Sequence, residues 1–316
     1  MKKSTAIWLI AASAIMIFCV LIFVLAMTLS SWDFELNKTK SVTYEIKGNF
    51  TDISITADIE DVFFAPSADG TSKVVCLEEK NLKHSVTNEN GELKINTVDE
   101  RKWYDHIMNF GNNTVTVYLA ENEYASLFIE SNTSSVEITS NFKFKNINIT
   151  LSTGNVKSSA TSSETTKIAA TTGDISIFGA SFGLLQLSTT TGDIYLGNIN
   201  CGDMTISVST GDVNMRDVSC KSLTTKGNTG ELEMHRVIAT GAFSIERSTG
   251  DVDFEACDAE KIYIETDTGD VEGSLLSEKI FILKTDTGDV DVPKTTSGGI
   301  CEITTDTGDI EIYIKN

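Results

Sequence analysis

The stretch that decides the fold runs from Thr172 to Asp193 and reads TGDISIFGASFGLLQLSTTTGD. It begins and ends with Thr-Gly-Asp, so its glycine recurs after 19 residues. A glycine preceded by Thr recurs at spacings of 19 or 20 residues, at Gly154, Gly173, Gly192, Gly211, Gly230, Gly250, Gly269, Gly288 and Gly308. A fixed short period of this kind is typical of a solenoid, in which each repeat forms one coil and stacks on its neighbours.

The apolar residues of each unit come in pairs separated by a single residue. After Gly173 the pairs are Ile175 and Ile177, Ala180 and Phe182, and Leu185 and Leu187. Alternate side chains of a strand share a face, so each pair marks the inner face of a short strand. Three pairs per unit predict a three-sided coil that the Thr-Gly-Asp corner closes. With a degenerate copy at residues 133–136, the sequence predicts an all-β, single-chain β-solenoid of about ten coils, with right-handed winding.

The period divides the chain into regions. Residues 131–316 carry the Thr-Gly-Asp repeats, whereas residues 44–130 keep strand patterns without the period. We expect residues 44–130 to form an irregular β segment that caps one end of the solenoid. Within it, Asn90-Gly91 lies between two alternating stretches and indicates a β-hairpin.

The N-terminal region predicts a membrane anchor. Residues 6–29 are uncharged and mostly apolar, and as a helix they would extend about 36 Å, enough to cross a bilayer. Lys2 and Lys3 place residues 1–5 in the cytoplasm by the positive-inside rule. Residues 30–43 then form a juxtamembrane linker. We therefore expect a single-pass protein of the cell membrane whose C-terminal domain is extracytoplasmic.

Charge limits the possible partners. The formal net charge is -20, which argues against nucleic acid because binding to phosphates needs a basic surface. Stacking should align the Asp residues that follow the glycines, and the last three units add a second acidic row. These two rows form a candidate Ca²⁺ site: Asp267, Asp270, Asp286, Asp289, Asp306 and Asp309. The alternative is a hydrogen-bonded ladder of turns that binds no metal ion and whose amides offset the repulsion.

Enzymatic signatures have structural explanations in this sequence. Three Asp-Thr-Gly triplets resemble the aspartic-protease signature, but they are successive copies of one repeat position rather than parts of two facing lobes. A polysaccharide-acting β-helix enzyme is an alternative, yet units of nearly constant length predict no cleft. The most irregular charged region contains Asp203, Arg216, Asp217 and Lys221. We therefore predict a protein that is not an enzyme and needs no cofactor, with Thr rows that order water as a further alternative.

Cysteine and histidine give no clear site. Five cysteines lie beyond the apolar N-terminal segment. Cys201 and Cys220 share one repeat position, within reach of a disulfide, but both occupy inward positions and are predicted to be buried thiols. His84, His106 and His235 are scattered without the spacing of zinc ligands.

The repeats resemble a known family. The strand-rich lead-in, the run Val117-Tyr118-Leu119 before Leu127-Phe128-Ile129, and the repeated Thr-Gly-Asp turns resemble the bacterial putative-adhesin family of unknown function, which includes LiaG-like membrane-anchored proteins of Gram-positive bacteria. The resemblance implies a β-solenoid with an adhesion or envelope-stress role, and it implies no catalytic residues. An envelope protein or a wall polymer is the expected partner. The last strand, residues 310–314, is expected to be an open edge that self-associates.

Overall fold

The computed structural model describes Met16, Phe18 and residues 39–79, 81–101, 113–139 and 142–315. The chain divides into two units, residues 1–38 and residues 39–316. Met16 and Phe18 are helical, and the rest of the predicted anchor lies outside the described residues. Among the residues that the structure describes, no helix has the length and apolar character needed to cross a bilayer.

The described part of residues 39–316 contains 24 β-strands. The first nine are β1 (Lys40–Glu45), β2 (Asp52–Ala57), β3 (Asp61–Pro66), β4 (Lys73–Glu78), β5 (Leu82–Glu89), β6 (Glu92–Asp99), β7 (Thr114–Leu119), β8 (Glu123–Thr133) and β9 (Val136–Ile138). The next eight are β10 (Lys143–Thr153), β11 (Val156–Ser158), β12 (Thr161–Thr172), β13 (Ile175–Phe178), β14 (Ser181–Thr191), β15 (Ile194–Thr210), β16 (Val213–Cys220) and β17 (Ser222–Thr229). The last seven are β18 (Leu232–Thr249), β19 (Val252–Thr268), β20 (Val271–Leu275), β21 (Lys279–Thr287), β22 (Val290–Asp291), β23 (Gly299–Thr307) and β24 (Ile310–Ile314).

The strands wind into the predicted β-solenoid. The strands of the repeats pair in parallel with the equivalent strands of the neighbouring coil, as in Ile194 opposite Val213 and Val213 opposite Leu232. The predicted inward pairs are confirmed as core, since all six pair residues of the unit after Gly173 are buried. Residues with positive φ mark two kinds of bend. One is the Thr-Gly-Asp turn, and the other, in five successive coils, is a left-handed residue at Gly179, Asn198, Asp217, Arg236 and Ala256.

Glycine is needed at the Thr-Gly-Asp corner because neighbouring backbones approach closely there. A Cβ built on Gly192, whose φ is +139°, would lie 2.2 Å from the carbonyl oxygen of Gly173. The Gly192 amide donates to the carbonyl of Thr210 at 3.0 Å, which ties this corner to the next coil. The degenerate copy is confirmed as part of the stack, since the Val136 amide donates to the carbonyl of Asn155 at 2.8 Å.

Residues before the first repeat extend the stack and also close it. β2 and β3 pair in parallel with β8 and β9, and β6 and β7 pair in parallel with β2 and β3, so this region supplies two more coils. β1, β4 and β5 join by antiparallel pairing. The predicted hairpin is confirmed: β5 and β6 pair across Asn90 (φ 55°) and Gly91 (φ 82°).

The opposite end does not follow chain order. β23 lies between β19 and β21, and β24 pairs with β20 on one side and β22 on the other. The last coil of the sequence, β23 and β24, therefore lies between the coil of β19 and β20 and the coil of β21 and β22. β21 and β22 are the outermost strands, but β22 pairs only with Ile310 and Glu311, so no strand of the described residues pairs with the rest of residues 310–314 on that side. Self-association through this strand stays a prediction. Glycine permits the insertion, because a Cβ on Gly298 or Gly299 would lie 1.8 Å from the carbonyl oxygen of Glu278 or Glu260, respectively.

Arg247 is an exception in the apolar core. Its side chain points inward, only 3% of the residue is exposed, and its guanidinium nitrogens have no hydrogen-bond partner in the described part of the chain. A Cβ on Gly227, one coil away, would lie 2.0 Å from an Arg247 guanidinium nitrogen, so the absence of a side chain at Gly227 makes room for the cation. Burial lowers the pKa of Arg247. A buried cation without partners costs stability.

Replacing Arg247 with Met should therefore stabilise the fold. Met keeps an unbranched stem in the same space and removes the unpaired charge, so we expect Arg247→Met to raise the free energy of unfolding by about 1–3 kcal/mol. Urea denaturation followed by circular dichroism measures this change. The matched control is Arg236→Met, because Arg236 is exposed and pairs with Asp217, and little change is expected there. Destabilisation by Arg247→Met alone would contradict the interpretation.

Candidate functional site

An open groove of about 670 Å³ lies along one face of the solenoid. Its lining residues belong to β13, β15, β16, β18, β19, β20 and β24, on the side of each coil that follows the Thr-Gly-Asp corner. Phe178 and Tyr195 line it in two of the earlier coils, and Tyr313 lines it in the last. These rings are 44%, 36% and 54% exposed, so their faces are available to a ligand.

Short, regular coils still leave this open groove. The floor is low at Gly197, whose equivalents in the next two coils are the long side chains of Arg216 and His235. It is also low at Gly273, whose equivalent one coil earlier is Phe254. Aromatic rings take up the freed space. A Cβ on Gly197 would lie 2.7 Å from Cδ1 of Phe178, and one on Gly273 would lie 2.6 Å from Cδ2 of Phe254.

Carboxylates dominate the groove. The outward row of successive coils places Glu233 beside Asp253, Asp253 beside Glu272, and Glu272 beside Glu311. Partial burial and the neighbouring carboxylates, Glu272 foremost, raise the pKa of Asp253. Such a row of like charges is stabilised by a cationic ligand.

Cations in and beside the groove are partly engaged already. His235 Nε2 lies 3.0 Å from Glu255 Oε2, and Lys315 Nζ lies 2.9 Å from Glu255 Oε1. Glu255 is therefore balanced by local partners. Glu233, Asp253, Glu272 and Glu311 carry most of the remaining charge.

The irregular charged region of the sequence does not form one site. Only Arg216 of its four residues lines the groove. Asp217 accepts two hydrogen bonds from Arg236, at 2.5 and 2.7 Å. Asp203 and Lys221 form a separate exposed pair, with 3.8 Å between Oδ2 and Nζ.

The Asp residues of the corners form a hydrogen-bonded ladder. The Asp193 amide donates to Oδ1 of Asp174 at 2.9 Å, and the Asp212 amide donates to Oδ1 of Asp193 at 2.9 Å. Asn155 accepts in the same way from the Asp174 amide at 2.8 Å. Each of these carboxylates is thus stabilised by a backbone N–H of the adjacent coil, which offsets repulsion along the row.

The six Asp residues of the candidate calcium site fall into two groups. Oδ1 of Asp270 accepts from the Asp309 amide at 2.8 Å, and Oδ1 of Asp309 accepts from the Asp289 amide at 2.7 Å. The second group, Asp267, Asp286 and Asp306, is exposed, and Asp286 lies 3.1 Å from Lys284 Nζ. In the described residues, no three His, Cys, Asp or Glu side chains are grouped as metal ligands. Calcium binding by these residues stays a prediction.

Cys201 and Cys220 are free, buried thiols, as predicted, and so are Cys76, Cys257 and Cys301. Burial raises the pKa of Cys257 to about 11 and that of Cys301 to about 12. Thiols of this kind are unreactive at neutral pH.

A buried polar cluster beneath the N-terminal cap was not predicted. His84 Nε2 lies 3.6 Å from Glu60 Oε1, and His84 Nδ1 lies 3.4 Å from Glu78 Oε1. The Tyr44 hydroxyl donates to Glu78 Oε1 at 2.7 Å. Oε2 of Glu60 accepts from the Thr97 hydroxyl and from two backbone amides, each at 3.0 or 3.1 Å. Burial opposes the charge of Glu60, but His84 and the backbone amides lower its pKa to about 2.

Comparison with known proteins identifies relatives by family model and by fold. The family model described as Toastrack DUF4097 matches residues 50–237 and 198–316. Among curated proteins, no match is found.

Two solved structures share the fold. A putative adhesin from Parabacteroides distasonis is 14% identical, with a TM-score of 0.51 and coverage of 87% of this chain and 97% of that one. A putative lipid binding protein from the same species is 18% identical, with a TM-score of 0.52 and coverage of 75% and 98%. At these identities the likeness establishes the fold alone.

The corner ladder predicts a difference between two substitutions of Asp174. Asn keeps an oxygen acceptor for the Asp193 amide, as Asn155 does for Asp174, whereas Ala removes it. We expect Asp174→Ala to lower the free energy of unfolding by about 1–2 kcal/mol and Asp174→Asn to change it by less than about 0.5 kcal/mol. Equal losses for both variants in urea denaturation would show that the hydrogen bond does not stabilise the corner.

The buried Glu60 carboxylate predicts a dependence of stability on pH. Its folded pKa of about 2 lies below its ordinary value of 4.5. Its contribution is therefore present above about pH 4.5 and is lost as the pH falls towards 2. We expect Glu60→Gln to reduce the loss of unfolding free energy across this window by about 3 kcal/mol at most. Denaturation at several pH values measures this, and Glu121→Gln, at an exposed position, should leave the pH dependence unchanged.

Proposed function

We propose that this chain, which belongs to the Toastrack DUF4097 family, is a non-enzymatic binding protein that holds a polymer of the cell envelope in its groove. The observation that carries the proposal is the open groove of about 670 Å³ with exposed aromatic rings along an acidic floor. A long surface made of repeated coils suits a repetitive ligand, because each coil offers a similar set of contacts.

The residues of the groove favour a ligand with two chemical features. Tyr195, Phe178 and Tyr313 offer flat apolar faces for sugar rings or aliphatic groups, and an aromatic face also attracts cations. The row of Glu233, Asp253, Glu272 and Glu311 attracts positive charge. A wall polymer that carries amino groups has both features.

The predicted anchor gives this binding a location. With residues 6–29 in the membrane and residues 1–5 inside, the solenoid would face the wall from the outer surface of the membrane. Retention of a wall polymer there would serve adhesion or scaffolding under envelope stress. An interaction with an envelope protein is the other partner that the sequence suggests.

The alternative of a polysaccharide-acting enzyme has less support from the groove. Acid-base catalysis on a glycan needs a positioned acid and base that are free to exchange protons with the substrate. His235 and Lys315 both contact Glu255. The other groove carboxylates, Glu233, Asp253, Glu272 and Glu311, lie side by side in one row rather than as a pair that flanks a glycosidic bond. These contacts favour a binding surface.

Calorimetry with defined oligosaccharides tests the proposal. We expect the full-length chain in detergent to bind a hexamer of glucosamine about tenfold or more tightly than a hexamer of N-acetylglucosamine, because only the former carries amino groups. Tyr195→Ala and Glu272→Gln should each weaken this binding. Tyr263→Ala is the matched control, since Tyr263 is 38% exposed but does not line the groove.

Three results would contradict the proposal. Equal affinity for the two hexamers would exclude recognition of the amino groups. Binding that Tyr195→Ala and Glu272→Gln leave unchanged would place the ligand outside the groove. Release of shorter oligosaccharides on long incubation would favour the enzyme.

A further inference from the structure

The two ends of the solenoid differ in the strands that form them. At the N-terminal end, the outermost strands are β1 and β5, which pair antiparallel with β4 and β6. At the other end, β21 pairs only with β23, and no strand of the described residues pairs with its second edge. An uncovered strand edge presents free backbone donors and acceptors to another chain.

The side chains of β21 are also incompletely covered. Ile280 and Ile282 point outward and are 42% and 51% exposed. Phe281 and Leu283 point inward but are only partly buried against the core. The equivalent residues of interior coils, such as Ile262 and Ile264, are buried. The open edge therefore adjoins apolar surface on both faces of β21.

The usual protections of an edge strand are weak here. β21 has nine residues and contains no proline. Lys279 does not guard the edge, because its side chain is buried and Nζ donates to Oδ1 of Asp258 at 2.5 Å and to the hydroxyl of Ser277 at 2.6 Å. Short length, proline and outward lysine are the devices that commonly prevent strand pairing. Of these, β21 carries only the outward Lys284, whose Nζ lies 3.1 Å from Oδ1 of Asp286.

We propose that the partner of this edge is β21 of a second copy of the chain, paired in antiparallel orientation about a two-fold axis at Phe281. Identical edges pair isologously in this orientation. In this register Ile280 of each copy lies opposite Ile282 of the other, so the interface contains two such pairs. It also places Glu278, which is exposed, opposite Lys284 of the second copy.

Charge complementarity favours a second copy over an unrelated strand. Glu278 and Lys284 lie three residues before and three residues after Phe281, so the two-fold axis brings opposite charges together and apolar residues together in the same register. Cross-strand pairs of these kinds stabilise a sheet. The interface joins two solenoids tip to tip and leaves both grooves open, so it does not depend on what the grooves bind.

Cysteine cross-linking of the full-length chain tests the register. A chain with Ile280→Cys mixed with a chain carrying Ile282→Cys should form a disulfide-linked dimer under mild oxidation, because these positions face each other. Tyr263→Cys is the matched control, since Tyr263 has similar exposure on another coil, and it should give no dimer. Absence of the mixed dimer at high protein concentration would overturn the proposal.

A charge exchange separates this interface from association through any other part of the chain. Glu278→Lys should lower the cross-linked fraction roughly tenfold, because it places like charges opposite each other twice. Adding Lys284→Glu to the same chain should restore it. Cross-linking that neither change affects would overturn the proposal and point to contact elsewhere. The variants should keep the circular dichroism spectrum of the parent chain, since both positions are exposed.

Discussion

The close approach of backbones at the Thr-Gly-Asp corner is the constraint on which the structure depends. At Gly173, Gly192 and Gly211, a Cβ would lie 2.1–2.2 Å from a carbonyl oxygen of the neighbouring coil, a distance that no other residue tolerates. Because the corners approach so closely, the strands on every side of the coil lie in parallel register. The inward side chains of successive coils then form one continuous core.

The same stacking offsets the repulsion between the corner carboxylates with hydrogen bonds from backbone amides. Carboxylates one coil apart repel each other, yet the ladder places a backbone N–H of the adjacent coil against many of them. Glu231 interrupts the series, since its amide donates to Asp212 while its longer side chain stands where a ladder acceptor would be. A net charge of -20 is thus compatible with a compact fold, and the carboxylates outside the ladder give the groove its negative character.

Specific features of the molecule arise where the regular stacking is broken. Glycines at 197 and 273 lower the face that becomes the groove, and Gly298 and Gly299 let the last coil pass beneath its predecessor. Arg247 occupies a core position at a cost in stability, and its guanidinium fills the space that the missing side chain of Gly227 leaves. In a repeat protein these departures are where binding and assembly can differ from coil to coil.

The sequence alone determined the repeated architecture, because the period of glycines and the alternation of apolar residues are local signals that stacking only reinforces. It also determined the Asn90-Gly91 hairpin and the burial of the cysteines. The order of coils at either end depended on tertiary structure, since β24 carries the same pattern whether it lies at the edge or between two coils. The groove could not be predicted from the sequence either, because outward positions follow no hydrophobic pattern. Glu60, Glu78 and His84 come together only because separate strands pair beneath the cap. The spacing of these residues in the sequence therefore does not predict the cluster.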